Sequence, residues 1–425
     1  MSGDSTPAAP GALTARGFTG VGVASIVAAA AGFGVLLIAA RTLEPARNAD
    51  FLAFWSLLFA IFGILAGVQN ETTRAVRSAY SGSPQGSPGA KLVPIGLAVG
   101  AALAALLAAT SPWWSARALG ADHAVLVVAI ALACLVFSGH VTVAGSLSGA
   151  GRWSVFAGLI SAEATMRLVI VGAAALVGTS AAGLEVGAAV AAGTWLVFLL
   201  LSPSARAAAL ARADVPPSAF LRRIGHALVA AAGSAALVVG FPFLLRLTST
   251  TPVYAASAPL ILAISLTRAP LLIPLGAYQG VAITQFLTHR ERGLAALRSV
   301  TLGVLALGAV GAGLAFLAGP WLMSAVIGPD YRVDGILLAG LTFAAALLAL
   351  LTLTGAAVLA LDLHRAYSAG WISATATSVL LLLTPFPLEG RTIGSLAAGP
   401  LVGIAIHAAA VMRATRSDQQ GALPA

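Results

Sequence analysis

Long apolar runs broken by short polar, arginine-bearing segments dominate the chain. A helix that crosses a bilayer needs about 20 mainly apolar residues. By that rule twelve spans are expected: 17–40, 51–69, 92–109, 124–149, 155–177, 181–201, 224–245, 253–283, 300–322, 335–361, 366–383 and 393–412. Spans 4, 8 and 10 are longer than a bilayer requires, so they are expected to tilt or run past it. The fold class this predicts is all-α, a polytopic membrane protein.

The rhythm of the breaks repeats. Spans 1–6 and 7–12 share a short outer loop, a longer basic inner loop (70–91; 284–299), an outer loop of about a dozen residues and a very short inner turn. Just past those turns, Ala157-Gly158-Leu159-Ile160-Ser161-Ala162 echoes Ala369-Gly370-Trp371-Ile372-Ser373-Ala374. Six is an even number, so two six-helix lobes would enter the membrane with one orientation, related by a pseudo-twofold axis along the membrane normal. The expected organisation is a disordered cytoplasmic tail at 1–16, an N-lobe at 17–201, a linker at 202–223, a C-lobe at 224–412 and a second tail at 413–425. The first apolar run exceeds a signal-peptide core and only Arg16 precedes it, so it is expected to be retained.

Placing the N-terminus in the cytoplasm tests the count. The inner segments then hold Arg16, Arg74, Arg77, Lys91, Arg152, Arg206, Arg212, Arg222, Arg223, Arg290, Arg292, Arg298, Arg365, Arg413 and Arg416. The outer loops hold Arg41, Arg47, Arg117, Arg246, Arg332 and Arg391, and Arg167 and Arg268 fall inside spans. This is the positive-inside bias, and it predicts a multi-pass protein of the inner or plasma membrane with both termini in the cytoplasm.

Composition agrees. Hydrophobic residues make up 59% of the 425 and charged residues 9%, against about 25% charged in a soluble protein. The net charge of +9 resides in arginines between apolar runs, which marks topology and argues against nucleic acid as a partner. Cys134 is the sole cysteine and the six histidines are scattered, so neither an intramolecular disulfide nor a metal site is expected. No cofactor is expected. There is no Walker A sequence, Gly-x-Ser-x-Gly elbow or His-Glu-x-x-His, so the chain does not read as an enzyme.

Charges inside spans are the default functional residues, at about 2.5–3.5 kcal/mol each by insertion scales. Glu163 and Arg167 stand i,i+4 on one helical face and can pair, either to lock span 5 to a neighbour or to serve a cavity. Arg268 has no acidic residue within two helical turns and lies among Pro259, Pro270, Pro274, Gly276 and Gly280, a set that kinks helices and suggests a hinge. It reads as an anion site, or as an arginine that pairs with Glu163 or a backbone carbonyl. At the inner end of span 2, Asn70, Arg74 and Arg77 could meet lipid phosphates or a substrate diphosphate, or act as topology arginines. His140 reads as a packed, hydrogen-bonded histidine with a proton-coupling role as the alternative. Asp330 and Asp334 are the best outer carboxylate pair and read chiefly as flanking or capping span 10.

Four stretches carry a likeness to a known family. They are Ala40-Arg41-Thr42-Leu43-Glu44-Pro45 with Asp50-Phe51, Gly149-Ala150-Gly151-Arg152-Trp153 leading to Glu163 and Arg167, Gly328-Pro329-Asp330-Tyr331-Arg332, and Leu363-His364-Arg365-Ala366-Tyr367. Together they resemble a polysaccharide flippase of the multidrug/oligosaccharidyl-lipid/polysaccharide (MOP) exporter superfamily, with Glu44 and Ala49 standing where that family often has glycine. The resemblance implies a bacterial transporter that moves undecaprenyl-diphosphate-linked oligosaccharide from the inner to the outer leaflet for cell-surface polysaccharide biosynthesis. Membrane lipids, that polyprenyl-linked oligosaccharide and the pathway's glycosyltransferases or polymerase would be its partners. A net-cationic cleft lined by spans 1, 2, 7 and 8 would hold the diphosphate, with Arg167, Arg268 and Arg74 as the cations. Within the superfamily, a cation-coupled multidrug exporter or a peptidoglycan-precursor flippase remains open. From another class, so does a membrane glycosyltransferase or polymerase acting through Asp330 or Asp334.

Overall fold

The computed structural model describes residues 15–81, 89–178, 180–268 and 298–421. It is helical throughout, and no strand longer than the isolated bridge Lys91–Arg212 occurs among the described residues. In chain order the helices are α1 Ala15–Thr42, α2 Pro45–Ser81, α3 Leu92–Leu119, α4 His123–Gly149, α5 Trp153–Leu176, α6 Ala181–Val190, α7 Thr194–Leu201 and α8 Pro203–Ala209. They continue as α9 Pro217–Val238, α10 Phe241–Thr248, α11 Thr251–Ala255, α12 Ala258–Arg268, α13 Arg298–Leu322, α14 Gly335–Ala360, α15 His364–Leu382 and α16 Leu388–Gly421. The expected spans fall on helix where they are described, except for non-helical turns at 239–240 inside span 7 and at 256–257 inside span 8, whose described part is split between α11 and α12. Apolar helices long enough to cross a bilayer recur along the chain. The protein is a multi-pass membrane protein.

Several boundaries move outward from the apolar runs. The expected inner loop 70–91 is helical to Ser81, and α3 continues to Leu119 through Pro112 where a loop was expected over 110–123. Thr110 and Ser111 carry α3 into that polar stretch by donating to Leu106 O and Ala108 O (both 2.8 Å), the back-bonding that lets hydroxyl residues sit in a helix. The linker 202–223 contains α8 and the start of α9, and α16 runs to Gly421. A transfer rule sees only apolarity, whereas a helix ends where its backbone finds other partners.

The largest departure is in span 224–245, expected as one helix. It is two, α9 and α10, meeting at a 72° bend. Pro242 opens α10 and has no amide hydrogen for the carbonyl four residues back. A Cβ on Gly240 would lie 2.9 Å from Ala236 O, so only glycine allows the chain to fold back that tightly.

By internal packing the chain forms two compact units, Met1–Ile38 with Leu57–Ala232, and Ala39–Ser56 with Gly233–Ala425. In unit 1, α4 is buried along much of its length and packs through small residues. A Cβ on Gly145 would come within 2.6 Å of Gln69 O, and one on Gly149 within 2.7 Å of Thr73 O, both on α2. In lipid, where apolar burial does not favour one helix neighbour over another, such close backbone approach is what drives helices together. Cys134 is fully buried here, its thiol 3.7 Å from Gly100 O of α3. In unit 2, α14 is the buried central helix. Its other close joint is α15 with α16, where a Cβ on Gly403 would meet Gly370 O at 2.8 Å.

Two of the sequence stretches singled out above meet in unit 2. Arg41 Nε donates to Val326 O (3.2 Å), inside the π-turn Met323–Ile327 that closes α13. Asn48 Nδ2 donates to the Tyr331 hydroxyl (2.9 Å), 283 residues away. Asp334 stands at the N-cap of α14 but makes no capping hydrogen bond with its side chain, so it flanks that helix without capping it.

Candidate functional site

Three clusters gather the buried or paired charge. In unit 1, Glu163 and Arg167 form a salt bridge on one face of α5, both buried. Arg167 Nε also donates to Ala188 O of α6 (3.1 Å), near where that helix tightens to the 3-10 turn Ala191–Gly193. Its guanidinium lies over the Phe59 and Phe62 rings of α2, 4.8 and 5.5 Å from their centroids, within the range of a cation–π contact. Phe62 stacks on Phe137 (3.7 Å) and Phe137 on His140 (4.8 Å). His140 is buried as expected, but its Nδ1 has no hydrogen-bond partner among the described residues. Ring stacking, not a hydrogen bond, holds that face of the imidazole. Glu163 has no partner other than Arg167 among the described residues.

The second cluster lies at the α9–α10 break in unit 2. The bend leaves carbonyls at the end of α9 without intrahelical donors. Arg268, at the end of α12, supplies them: one guanidinium nitrogen donates to Leu237 O (3.1 Å) and Val238 O (2.9 Å). Ser56 of α2 completes the repair, donating to Val239 O (2.7 Å) and accepting from Phe243 N–H (3.2 Å). The carbonyl partner that the sequence left open for Arg268 is therefore present. Its other terminal nitrogen, Nη2, is buried with no partner among the described residues, and the guanidinium lies 5.5 Å from the Phe241 ring.

Arg246, assigned by sequence to an outer loop, is buried in α10. It packs over the Tyr254 ring at 4.9 Å, with Nε and Nη1 unpaired among the described residues. Neither Arg246 nor Arg268 forms a salt bridge among the described residues; Asp50 acts on Arg246 through space only.

The third cluster is at the inner end of α2. Arg74 pairs with Glu71 (2.7 Å) and, 140 residues on, with Asp214 (3.0 Å). Arg223 reaches Asp214 at 3.7 Å. Burial raises the Asp214 carboxyl, but hydrogen bonds from Arg74 and Ser78 outweigh it, and the pKa falls below the ordinary aspartate value. Backbone bonds between Ala90 and both Ala213 and Val215 fix this segment beside the start of α3. Arg77 and Asn70 lie exposed on the same helix end and bring no charge into the bundle. Pro259 stands in the first turn of α12, where a proline loses no hydrogen bond. Pro270, Pro274 and Gly276 lie outside the described residues.

Arg246, Ser56 and Asp214 were not reached by sequence reasoning. The loop count assigned Arg246 to water, an isolated serine carries no signal, and nothing relates Asp214 to α2 before folding.

No protein-family profile matches the chain. Mycobacterial sequences do, over nearly the full length of both partners. "Uncharacterized protein Rv1510" of Mycobacterium tuberculosis is 42% identical over 409 residues, 96% of this chain and 94% of its own. "Uncharacterized protein Rv3630" of the same organism is 39% identical over 411 residues, covering 96% and 95%. Among solved structures, an outward-facing multidrug resistance MATE family transporter of the MOP superfamily superposes with TM-score 0.66 at 13% identity, over 95% of this chain and 96% of that one. A MOP superfamily transporter from Pyrococcus furiosus, described by the reverse polarity of its binding pocket, gives 0.60 at 13% identity over 94% and 95%. The fold is that of the MOP superfamily transporters, and the chain belongs to the family of the mycobacterial proteins Rv1510 and Rv3630.

Proposed function

We propose that this chain is a membrane transporter that carries a polyprenyl-diphosphate-linked oligosaccharide from the inner to the outer leaflet of the plasma membrane. It would do so by alternating access between lobes of residues 17–201 and 224–412, joined at 202–223, with both termini in the cytoplasm. The observation that carries the reading is the pair of buried arginines in unit 2. Arg268 and Arg246 are removed from water and, among the described residues, form no salt bridge and keep N–H groups without partners. A guanidinium is always charged and matches phosphate geometry, so desolvated arginines without a direct ion pair favour an anionic cargo. A lipid-linked sugar diphosphate has a head that cannot cross hydrocarbon and a tail that need not leave it. Arg167 contributes less free charge, since Glu163 neutralises it. Arg74 would first have to exchange Glu71 and Asp214 for a phosphate, and Arg77 and Asn70 would meet the headgroup at the cytoplasmic mouth.

The test is deletion of the gene with extraction of polyprenyl-linked intermediates. Completed lipid-linked oligosaccharide is expected to accumulate while surface glycan is lost, and Arg246→Met is expected to fail to restore export. An accumulated oligosaccharide one sugar short would indicate a glycosyltransferase, and a precursor of peptidoglycan would move the substrate within the same class. The second reading, a cation-coupled multidrug exporter, rests on the MATE fold and on buried Glu163 and Glu185. It is favoured if nothing accumulates and drug sensitivity rises.

A further inference from the structure

Unit 2 contains a cleft of about 610 Å³ formed where α12, α14 and α16 begin and α13 ends. This is the membrane face opposite the end of α16, the outer face under the expected topology. Its volume lies within the roughly 300–1,000 Å³ of small-molecule sites. Its walls are partly apolar, including Leu260 and Leu337, while Arg332, Asp334 and Glu389 converge on it. None of these three charged side chains has a hydrogen bond or ion pair among the described residues. Trp321 stands at the same wall with 69% of its surface exposed.

The mixture of signs selects the ligand class. An organic cation would suit Asp334, Glu389 and the Trp321 face, but Arg332 would repel it. A phosphate would suit Arg332 and be repelled by the two carboxylates. A neutral polyhydroxylated ligand uses all of them: its hydroxyls donate to carboxylate oxygens, its oxygens accept from the guanidinium, and its C–H face lies on the indole.

We infer that this cleft is a carbohydrate-binding site on the outer face, taking the neutral sugar portion of a glycan as it emerges. The naming of a glycan rests on the transporter reading; the site itself rests on the cleft. Full-length protein in nanodiscs is titrated with gluco-, manno-, galacto- and arabino-trisaccharides, and binding is read by saturation-transfer NMR. Tetraphenylphosphonium and inorganic pyrophosphate serve as the cationic and anionic probes. Saturable binding of at least one trisaccharide is expected, weakened tenfold or more in both Asp334→Asn and Trp321→Leu, each checked for wild-type elution and melting temperature. Binding of no trisaccharide, equal binding in both variants, or preference for either charged probe overturns the site. Wild-type clearance of lipid-linked oligosaccharide in cells, together with no trisaccharide binding, sinks the cleft and leaves the transporter reading. Trisaccharide binding with no lipid-linked intermediate accumulating on deletion supports the cleft and sinks that reading.

Discussion

Glu163 and Arg167 are coupled but not equivalent. Arg167 has Ala188 O and two aromatic faces besides its carboxylate, whereas Glu163 has only Arg167 among the described residues. Removing one member of a buried pair strands the other at about 3–5 kcal/mol, while replacing both by apolar groups is often neutral. Arg167→Met is therefore expected to lower the melting temperature in detergent more than Glu163→Gln, and the double variant Glu163→Gln/Arg167→Met less than Arg167→Met alone. Equal losses in all three would remove the pairing argument. Asp214 is a pH-dependent contact. Its pKa is depressed in the folded state, so the stability it contributes is present above the ordinary aspartate pKa and lost as pH falls through the lower folded value. The stability advantage of wild type over Asp214→Asn should thus be seen at neutral pH and vanish in acid. It should stay below ~1 kcal/mol, because Arg74 and Arg223 are exposed enough for solvent to screen them. Thermal melts of both proteins across pH would check it.

At the scale of elements, the α9–α10 break is held by side chains from two other helices. Arg268→Met should cost on the order of 2 kcal/mol, since it removes two charge-assisted bonds to buried carbonyls. Ser56→Ala should cost about 1 kcal/mol. Because both hold one bend, the double variant should depart from additivity, and a cycle within about 0.5 kcal/mol of zero would mean that they act independently. This element also marks how far the sequence could be read. The Glu163–Arg167 pair was legible because the i,i+4 rule acts within one helix. The break was not: Gly240 and Pro242 sit inside a run whose average apolarity reads as one span. Arg268 was legible as a buried cation but its partners were not, because backbone carbonyls 31 and 30 residues away have no sequence signature. Arg246 was misplaced for a related reason, since a count of loop charges takes α10 for the outer end of span 7.

At the scale of the molecule, the helices came through from apolar run length, and their polar extensions did not. The helical reach of α2, α3 and α16 past their apolar cores lengthens the chain's rigid parts at the membrane faces and shortens its loops. The positive-inside expectation puts residue 210 in the cytoplasm. Leu210 is 81% exposed, so Leu210→Cys should react with a membrane-impermeant maleimide only after the cell is opened. Labelling in intact cells would reverse the topology. The burial of Cys134 gives that experiment an unusual convenience. A thiol sealed between α3 and α4 is chemically silent while the protein is folded, so the natural chain already serves as a blank for site-by-site labelling. The same thiol becomes a fluorescent alarm for unfolding once heat or detergent parts those two helices.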